Sequence, residues 1–251
     1  YKATMKVIRV GWMVLIYLSY GLVHAADIKV AVASNFARTM RVLVQQFEAT
    51  SEHHVVMIVG STGKHFAQIT HGAPYDIFFA ADVVRPEKLL KENKAVAGSG
   101  FVYAVGKLVL WSAKPNYVDK EGKVLKRASF RHLAIANPKL APYGLAAKHV
   151  LQAKGLWQTT SKNRVRGENI GQTLQFVSSG SAELGFVALS QIKQPNNPVL
   201  GSFWLVPPGL YEPIQQHAVL LKDSVANREF MTFMQSEAAR NIILQNGYGL
   251  P

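Results

Sequence analysis

Four short segments carry the residue types that could bind an anion. They are Ala33-Ser34-Asn35-Phe36, Gly60-Ser61-Thr62-Gly63-Lys64, Ala141-Pro142-Tyr143-Gly144 and Gly167-Glu168-Asn169-Ile170-Gly171-Gln172. Each places hydroxyl, amide or glycine residues at a point where a helix is expected to begin. A helix N-terminus presents unpaired N–H groups and a partial positive charge, so it attracts anions without a charged side chain. Ser and Thr hydroxyls add donors, and glycines let the backbone approach closely. Taken singly, each segment is equally an ordinary helix cap. The second asks for more: two glycines flank Ser61-Thr62 directly after the apolar run VVMIV. It is not a Walker P-loop, which has four residues between its glycines. Lys64 reads as an exposed helix-start lysine that raises the local potential.

Catalytic and metal chemistry find less support. The chain has no cysteine, which excludes disulfides, thiol nucleophiles, zinc–thiolate sites and iron–sulfur clusters. Its eight histidines form no His-Glu-x-x-His pattern, and His53-His54 reads as a turn between a helix and a strand. Ser178-Ser179-Gly180-Ser181 lacks the Gly-x-Ser-x-Gly elbow of serine hydrolases. Asp76 and Asp82 flank a strand, and Asp82 is placed to cap the helix that follows. No acid–base pair can be assembled from these residues, so no enzyme is expected, and an exported hydrolase is the weakest of the alternatives.

The elements that would position the four segments follow from hydropathy. Strands are expected at Ile28–Ala33, Val55–Val59, Asp76–Ala80, one long strand at Tyr103–Trp111, then Leu133–Ala136, Val165, Gly185–Val187, Phe203–Val206 and His217–Leu221. Helices are expected at Phe36–Ala49, Gly63–His71, from Pro86, at Leu145–Ala153, Thr173–Ser178, Val225–Gln235 and Glu237–Gln245. Alternating strands and helices give an α/β fold with parallel sheets covered by helices. Ligands in such sheets sit beyond the C-terminal ends of the strands.

The first 25 residues stand apart. Lys2, Lys6 and Arg9 precede the apolar run Trp12–Val23, and Val23-His24-Ala25 forms a small-x-small site. This is the pattern of a secretory signal peptide cleaved after Ala25, with Met5 an alternative start. The apolar run is too short for the roughly 20 residues that span a bilayer. The expected compartment is a periplasm. The formal charge of the whole chain is +13, and loss of those three cations leaves +10. Such a balance favours anionic partners. The basic residues form no patch interleaved with aromatics, so nucleic acid is not expected.

In KVAVASNF (29–36), VGSTGKHFAQI (59–69), HGAPYDIFFAAD (71–82), IANPKLAPYGLAAKHVL (135–151), GENIGQTLQFVSSGSAELGFVALSQI (167–192) and NGYG (246–249), the chain resembles the periplasmic molybdate-binding proteins of ABC transporters. The resemblance covers 26–251. It implies a type II, two-lobed periplasmic binding protein: lobe 1 from 26–106 plus 217–251, lobe 2 from 107–216, and the ligand in the cleft between them. It implies molybdate, and with it tungstate, as ligand, no cofactor, a monomer and an inner-membrane ABC permease as partner. Molybdenum would be held only as its oxyanion, with no direct protein–metal ligands. The resemblance carries the oxyanion ligands onto Ser34, Asn35, Thr62 with Ser61 adjacent, Tyr143 through its backbone N–H or its phenol, and Ile170 through its backbone N–H. Where some members place a ligand tyrosine, this chain has Ala188. Molybdate carries no proton near neutral pH, so its oxygens only accept. A site built of donors suits it, whereas hydrogen phosphate would want an acidic acceptor. Sulfate and phosphate are the alternative ligands. Glu168, the one carboxylate in the four segments, reads as a helix-start charge facing solvent.

Overall fold

The computed structural model describes residues 26–127, 129–193, 195 and 199–251. The proposed signal peptide lies outside them. In chain order the elements are β1 (Asp27–Ala33), α1 (Ala37–Glu48), β2 (His54–Gly60), α2 (Thr62–Thr70), β3 (Ile77–Phe79), α3 (Val84–Lys91), β4 (Phe101–Gly106), β5 (Leu108–Ser112), α4 (Val124–Arg127), β6 (Leu133–Ala136), α5 (Pro142–Ala153), β7 (Arg164–Gly167), α6 (Ile170–Ser178), β8 (Leu184–Ala188), α7 (Leu189–Ile192), β9 (Ser202–Leu205), β10 (Ile214–Leu220), α8 (Val225–Met234) and α9 (Glu237–Gln245).

They form two five-stranded sheets, ordered β2-β1-β3-β10-β4 and β7-β6-β8-β5-β9. In the first, β1 lies between parallel β2 and β3, and β10 runs antiparallel to β3 and β4. The second repeats the plan: β6 lies between parallel β7 and β8, and β5 runs antiparallel to β8 and β9. Each mixed sheet is covered by helices, the α/β architecture read from the sequence. Apolar faces drive the packing. Met40, Leu43, Val44 and Phe47 recur at helical spacing on α1 and are buried in the first lobe's core with Ile28, Val30 and Phe230. Leu108, Leu110, Leu133, Phe186, Val150 and Leu151 do the same in the second. Full burial of one such side chain is worth about 1.5–3 kcal/mol.

One expected element is two. The run Tyr103–Trp111 divides at Lys107: β4 ends in the first sheet at Gly106 and β5 starts in the second at Leu108. The chain therefore crosses between sheets through a single residue. It returns at Ile214, where β10 begins, three residues ahead of the expected strand start. His54 opens β2, and His53 is buried with its Nε2 3.1 Å from a Glu229 carboxylate oxygen, so the pair is not an open turn. Asp82 accepts the Arg85 N–H at 3.1 Å and so holds the start of α3. After α9 the chain runs back along β4, with Val105 and Gly249 exchanging two 2.8 Å backbone bonds. Among the described residues no helix is long and apolar enough to cross a membrane.

Candidate oxyanion site between the lobes

Three of the four segments begin at a strand end and lead toward a helix, the Ala141–Gly144 segment follows the loop after β6 and opens α5, and the two sheets turn these ends toward each other. From the first lobe come Ala33, Ser34 and Asn35 after β1, Gly60, Ser61 and Thr62 after β2, and Ala81 after β3. From the second come Ala141, Pro142 and Tyr143 at the start of α5 and Ile170 at the start of α6. Together they line one cavity of about 10 Å³, room for about one water. All six residues expected to hold an oxyanion are thus brought round one point. Lys64 is exposed and Glu168 is exposed, and neither lines the cavity.

The polar part of the lining is rich in hydrogen-bond donors. Ser34 Oγ accepts the Gly171 N–H at 3.2 Å, Ser61 Oγ accepts the Lys64 N–H at 3.3 Å, and Thr62 Oγ1 accepts the Ala81 N–H at 3.0 Å. Each hydroxyl oxygen is therefore engaged as an acceptor, and among the described residues none donates its proton to a protein group. The backbone N–H groups of Asn35, Thr62, Tyr143 and Ile170 likewise have no acceptor among the described residues. Three of these lie in the first turns of α2, α5 and α6, where an N–H has no intrahelical partner and the helix dipole is positive. No carboxylate lines the cavity. The nearest along the chain, Asp82, is paired with Arg85. Among the described residues no cluster of His, Asp or Glu could hold a metal ion.

Side-chain directions refine the expectations. Asn35 is buried, and its Nδ2 donates to Gln216 Oε1 at 2.9 Å and to Tyr248 Oη at 3.1 Å. Its carboxamide is spent behind the cavity, which leaves its backbone N–H as the donor in front. Tyr143 is buried too, and its Oη accepts from Gln216 Nε2 at 3.2 Å. Burial pushes the Tyr143 phenol well above its ordinary pKa, so it keeps its proton. The Ile170–Gly171 peptide is held at both ends, its oxygen by Gln191 Nε2 at 3.1 Å and its N–H by Ser34. Gln191 in turn accepts the Ala188 N–H through Oε1 at 2.9 Å. Ala188 is fully buried at the end of β8.

A polar layer behind the cavity escaped the sequence reading. Ser190 Oγ donates to Tyr248 Oη at 2.8 Å, Tyr248 Oη donates to the Asn35 carbonyl at 2.9 Å, and Tyr103 Oη reaches Gln216 Oε1 at 2.9 Å. Its one outward sign is Tyr248 in the NGYG segment; Gln216 lies between Gln215 and His217, which do not set it apart.

The lobes meet directly around the site. Besides the Gly171–Ser34 bond, Gly63 N–H donates to the Leu140 carbonyl at 2.8 Å and Arg85 Nη2 to the Lys139 carbonyl at 2.9 Å. A side chain at Gly63 would strike the Leu140 backbone, its Cβ falling 2.9 Å from Leu140 Cα. This glycine is what allows α2 to abut the second lobe.

Comparison with known proteins gives a consistent picture. The family model of bacterial extracellular solute-binding proteins matches residues 28–249. The molybdate-binding protein ModA of Azotobacter vinelandii is 51% identical over 230 residues, covering 90% of this chain and 91% of that one. The ModA of Rhodobacter capsulatus is 43% identical over 227 residues, covering 89% and 88%. The solved structure of the Azotobacter vinelandii periplasmic molybdate-binding protein aligns with a TM-score of 0.87 at 46% identity, covering 89% of this chain and 99% of that one.

Proposed function

The chain belongs to the bacterial extracellular solute-binding proteins, and on that premise we propose that it captures molybdate, and with it tungstate, between its lobes and delivers it to an inner-membrane ABC permease. The observation that carries the reading is the lining itself. Three hydroxyls whose oxygens already accept a bond converge with four backbone N–H groups that have no acceptor among the described residues, and no carboxylate stands among them. Such a site offers mainly protons and no negative charge. It suits a fully deprotonated tetrahedral dianion, whose every oxygen accepts, and it penalises a protonated oxyanion, whose O–H would find no partner.

The proposed ligands are the hydroxyls of Ser34, Ser61 and Thr62 and the backbone N–H groups of Asn35, Thr62, Tyr143 and Ile170, with the Tyr143 phenol beside them. Hydrogen bonds to a charged group are worth about 1.5–3 kcal/mol each. Six or so, offset by dehydration of the anion, account for a dissociation constant between about 1 μM and 1 nM. Between lobes joined by the Gly171–Ser34 and Gly63–Leu140 bonds, a cavity of about 10 Å³ is too small for a tetrahedral oxyanion. Entry therefore requires them to part, and reclosure around the anion excludes water. The size of the reclosed cavity would separate molybdate and tungstate from the smaller sulfate.

The relatives named above are binding proteins, and binding without catalysis is the function proposed here. Residues 1–25 act in this reading as a signal peptide removed after Ala25, which releases a monomer into the periplasm. The lobes are proposed as 26–106 with 217–251, and 107–216, with the return set three residues earlier by β10, so that Gln216 belongs to the first lobe's sheet. Titration of the 26–251 chain with the four oxyanions tests the proposal. Selective one-to-one binding of molybdate and tungstate is expected, and equal or tighter binding of sulfate would reassign the ligand.

A further inference from the structure

Gln216 is fully buried on β10, at a point where the pairing with β4 shifts register between Gln216 and His217. A buried carboxamide costs free energy unless its polar atoms are partnered. Here Oε1 accepts from Asn35 Nδ2 at 2.9 Å and faces Tyr103 Oη at 2.9 Å, and Nε2 donates to Tyr143 Oη at 3.2 Å. Asn35 belongs to the first lobe's β1 segment. Tyr143 belongs to the first turn of α5 in the second lobe. One side chain thus ties a donor loop from each lobe.

The direction of the last bond matters. Nε2 has only protons to give, so Tyr143 Oη must accept, and the phenol's own proton is left for another partner. Among the described residues it has none, and Tyr143 lines the cavity. The sheet is built to admit this phenol. A Cβ on Gly106 would collide with the Tyr143 hydroxyl and would lie 2.9 Å from Gln216 Nε2. A residue without a side chain at the end of β4 is what lets a tyrosine of the second lobe reach into the first.

We infer that Gln216 is a positioning residue that sets the affinity of the oxyanion site, by fixing Tyr143 from one lobe and Asn35 from the other on a single carboxamide. The inference rests on the molybdate-binding reading above. Its contacts across the lobes exist only when the lobes are closed, so its effect falls on release of the anion more than on capture.

The test is a variant series of the 26–251 chain titrated with sodium molybdate, with binding and release rates from stopped flow and thermal unfolding of each variant. Gln216→Leu is expected to weaken binding by about 10- to 100-fold, the range for stripping partners from buried polar groups. The loss should lie in the release rate, with the capture rate within about threefold of wild type. A merely structural role would lower the unfolding temperature and leave both rates of the folded fraction unchanged. Because Gln216 is argued to act through Tyr143, Gln216→Leu combined with Tyr143→Phe should lose less than the two single losses together. Gly106→Ala, which crowds both the phenol and the Gln216 carboxamide without substituting either, should raise the release rate as well and serves if Gln216→Leu fails to fold. Wild-type affinity in Gln216→Leu or, in its place, in Gly106→Ala, or fully additive losses in the double variant, would overturn the inference alone. Failure of the wild-type chain to bind molybdate would overturn the functional reading and this inference with it.

Discussion

Ser34 Oγ accepts the backbone N–H of Gly171 at 3.2 Å, joining the end of β1 to the first turn of α6 across the two lobes. The bond leaves the Ser34 proton free to face the cavity while the oxygen holds the opposite wall. Ser34→Ala removes a latch and a donor together. Affinity for molybdate should fall at least about tenfold, the lower end for a hydrogen bond to a charged group. Calorimetric titration reads the change, and an unchanged dissociation constant would remove Ser34 from the site.

Thr62 works on the same plan with a different partner. Its Oγ1 accepts the Ala81 N–H at 3.0 Å, and the residue is almost wholly buried. Thr62→Val keeps the shape and loses the hydroxyl, leaving the Ala81 N–H unpaired. A loss of about 10- to 100-fold in molybdate affinity is expected. Thr62→Ser keeps the hydroxyl and should stay within about threefold of wild type. Equal losses in both would assign the effect to packing.

Asn35 separates two roles. The sequence suggests a donor whose loss weakens binding and spares the fold. The structure commits its Nδ2 to Gln216 and Tyr248. Asn35→Ala should therefore cost about 1–3 kcal/mol of stability as well as affinity, because it strips partners from buried groups. Thermal unfolding and titration of the same sample check this. Weakened binding with an unmoved unfolding temperature would restore the side chain to the ligand set.

Stability and binding should respond differently to acid. Burial holds the His65 pKa below its ordinary 6.5, against its bond to Gln68, and nearby Lys64 pushes the same way as burial. Its Nε2 has no hydrogen-bond partner among the described residues. Burial also lowers His217, against the pull of Glu87 and Asp82. The unfolded chain takes up these protons near 6.5 and the folded chain only at lower pH. Stability is therefore intact above 6.5 and declines as pH falls through the lowered folded values. The proposed ligands are hydroxyls, amides and a phenol raised by burial, none of which titrates between pH 6 and 9. Unfolding temperature should drop below pH 6.5 while molybdate affinity stays flat from pH 6 to 9. An affinity that titrates within that range would mean an ionisable ligand has been missed.

The strands and helix starts were legible because each carries its own period. Ile28–Ala33 is an apolar run with turn residues after it, and α1 repeats its apolar residues at helical spacing. The four segments were legible because strand ends that lead into helices converge in an α/β sheet, and the six ligands proposed within them come from the family resemblance. The break at Lys107 was not, since the residues on both sides are apolar and strand-like, and only the second sheet's pairing tells them apart. The layer behind the site was not legible either. Tyr248 and Asn35 meet across 213 residues, and Gln216 and Tyr143 across 73, so nothing local marks the contact.

The most direct test of the central claim is calorimetric titration of the 26–251 chain with molybdate, tungstate, sulfate and phosphate under one buffer and ionic strength. The account predicts tight one-to-one binding of molybdate and tungstate, at micromolar affinity or better, and far weaker binding of the other two. Sulfate or phosphate bound as tightly as molybdate, or no binding of any of the four, would contradict it.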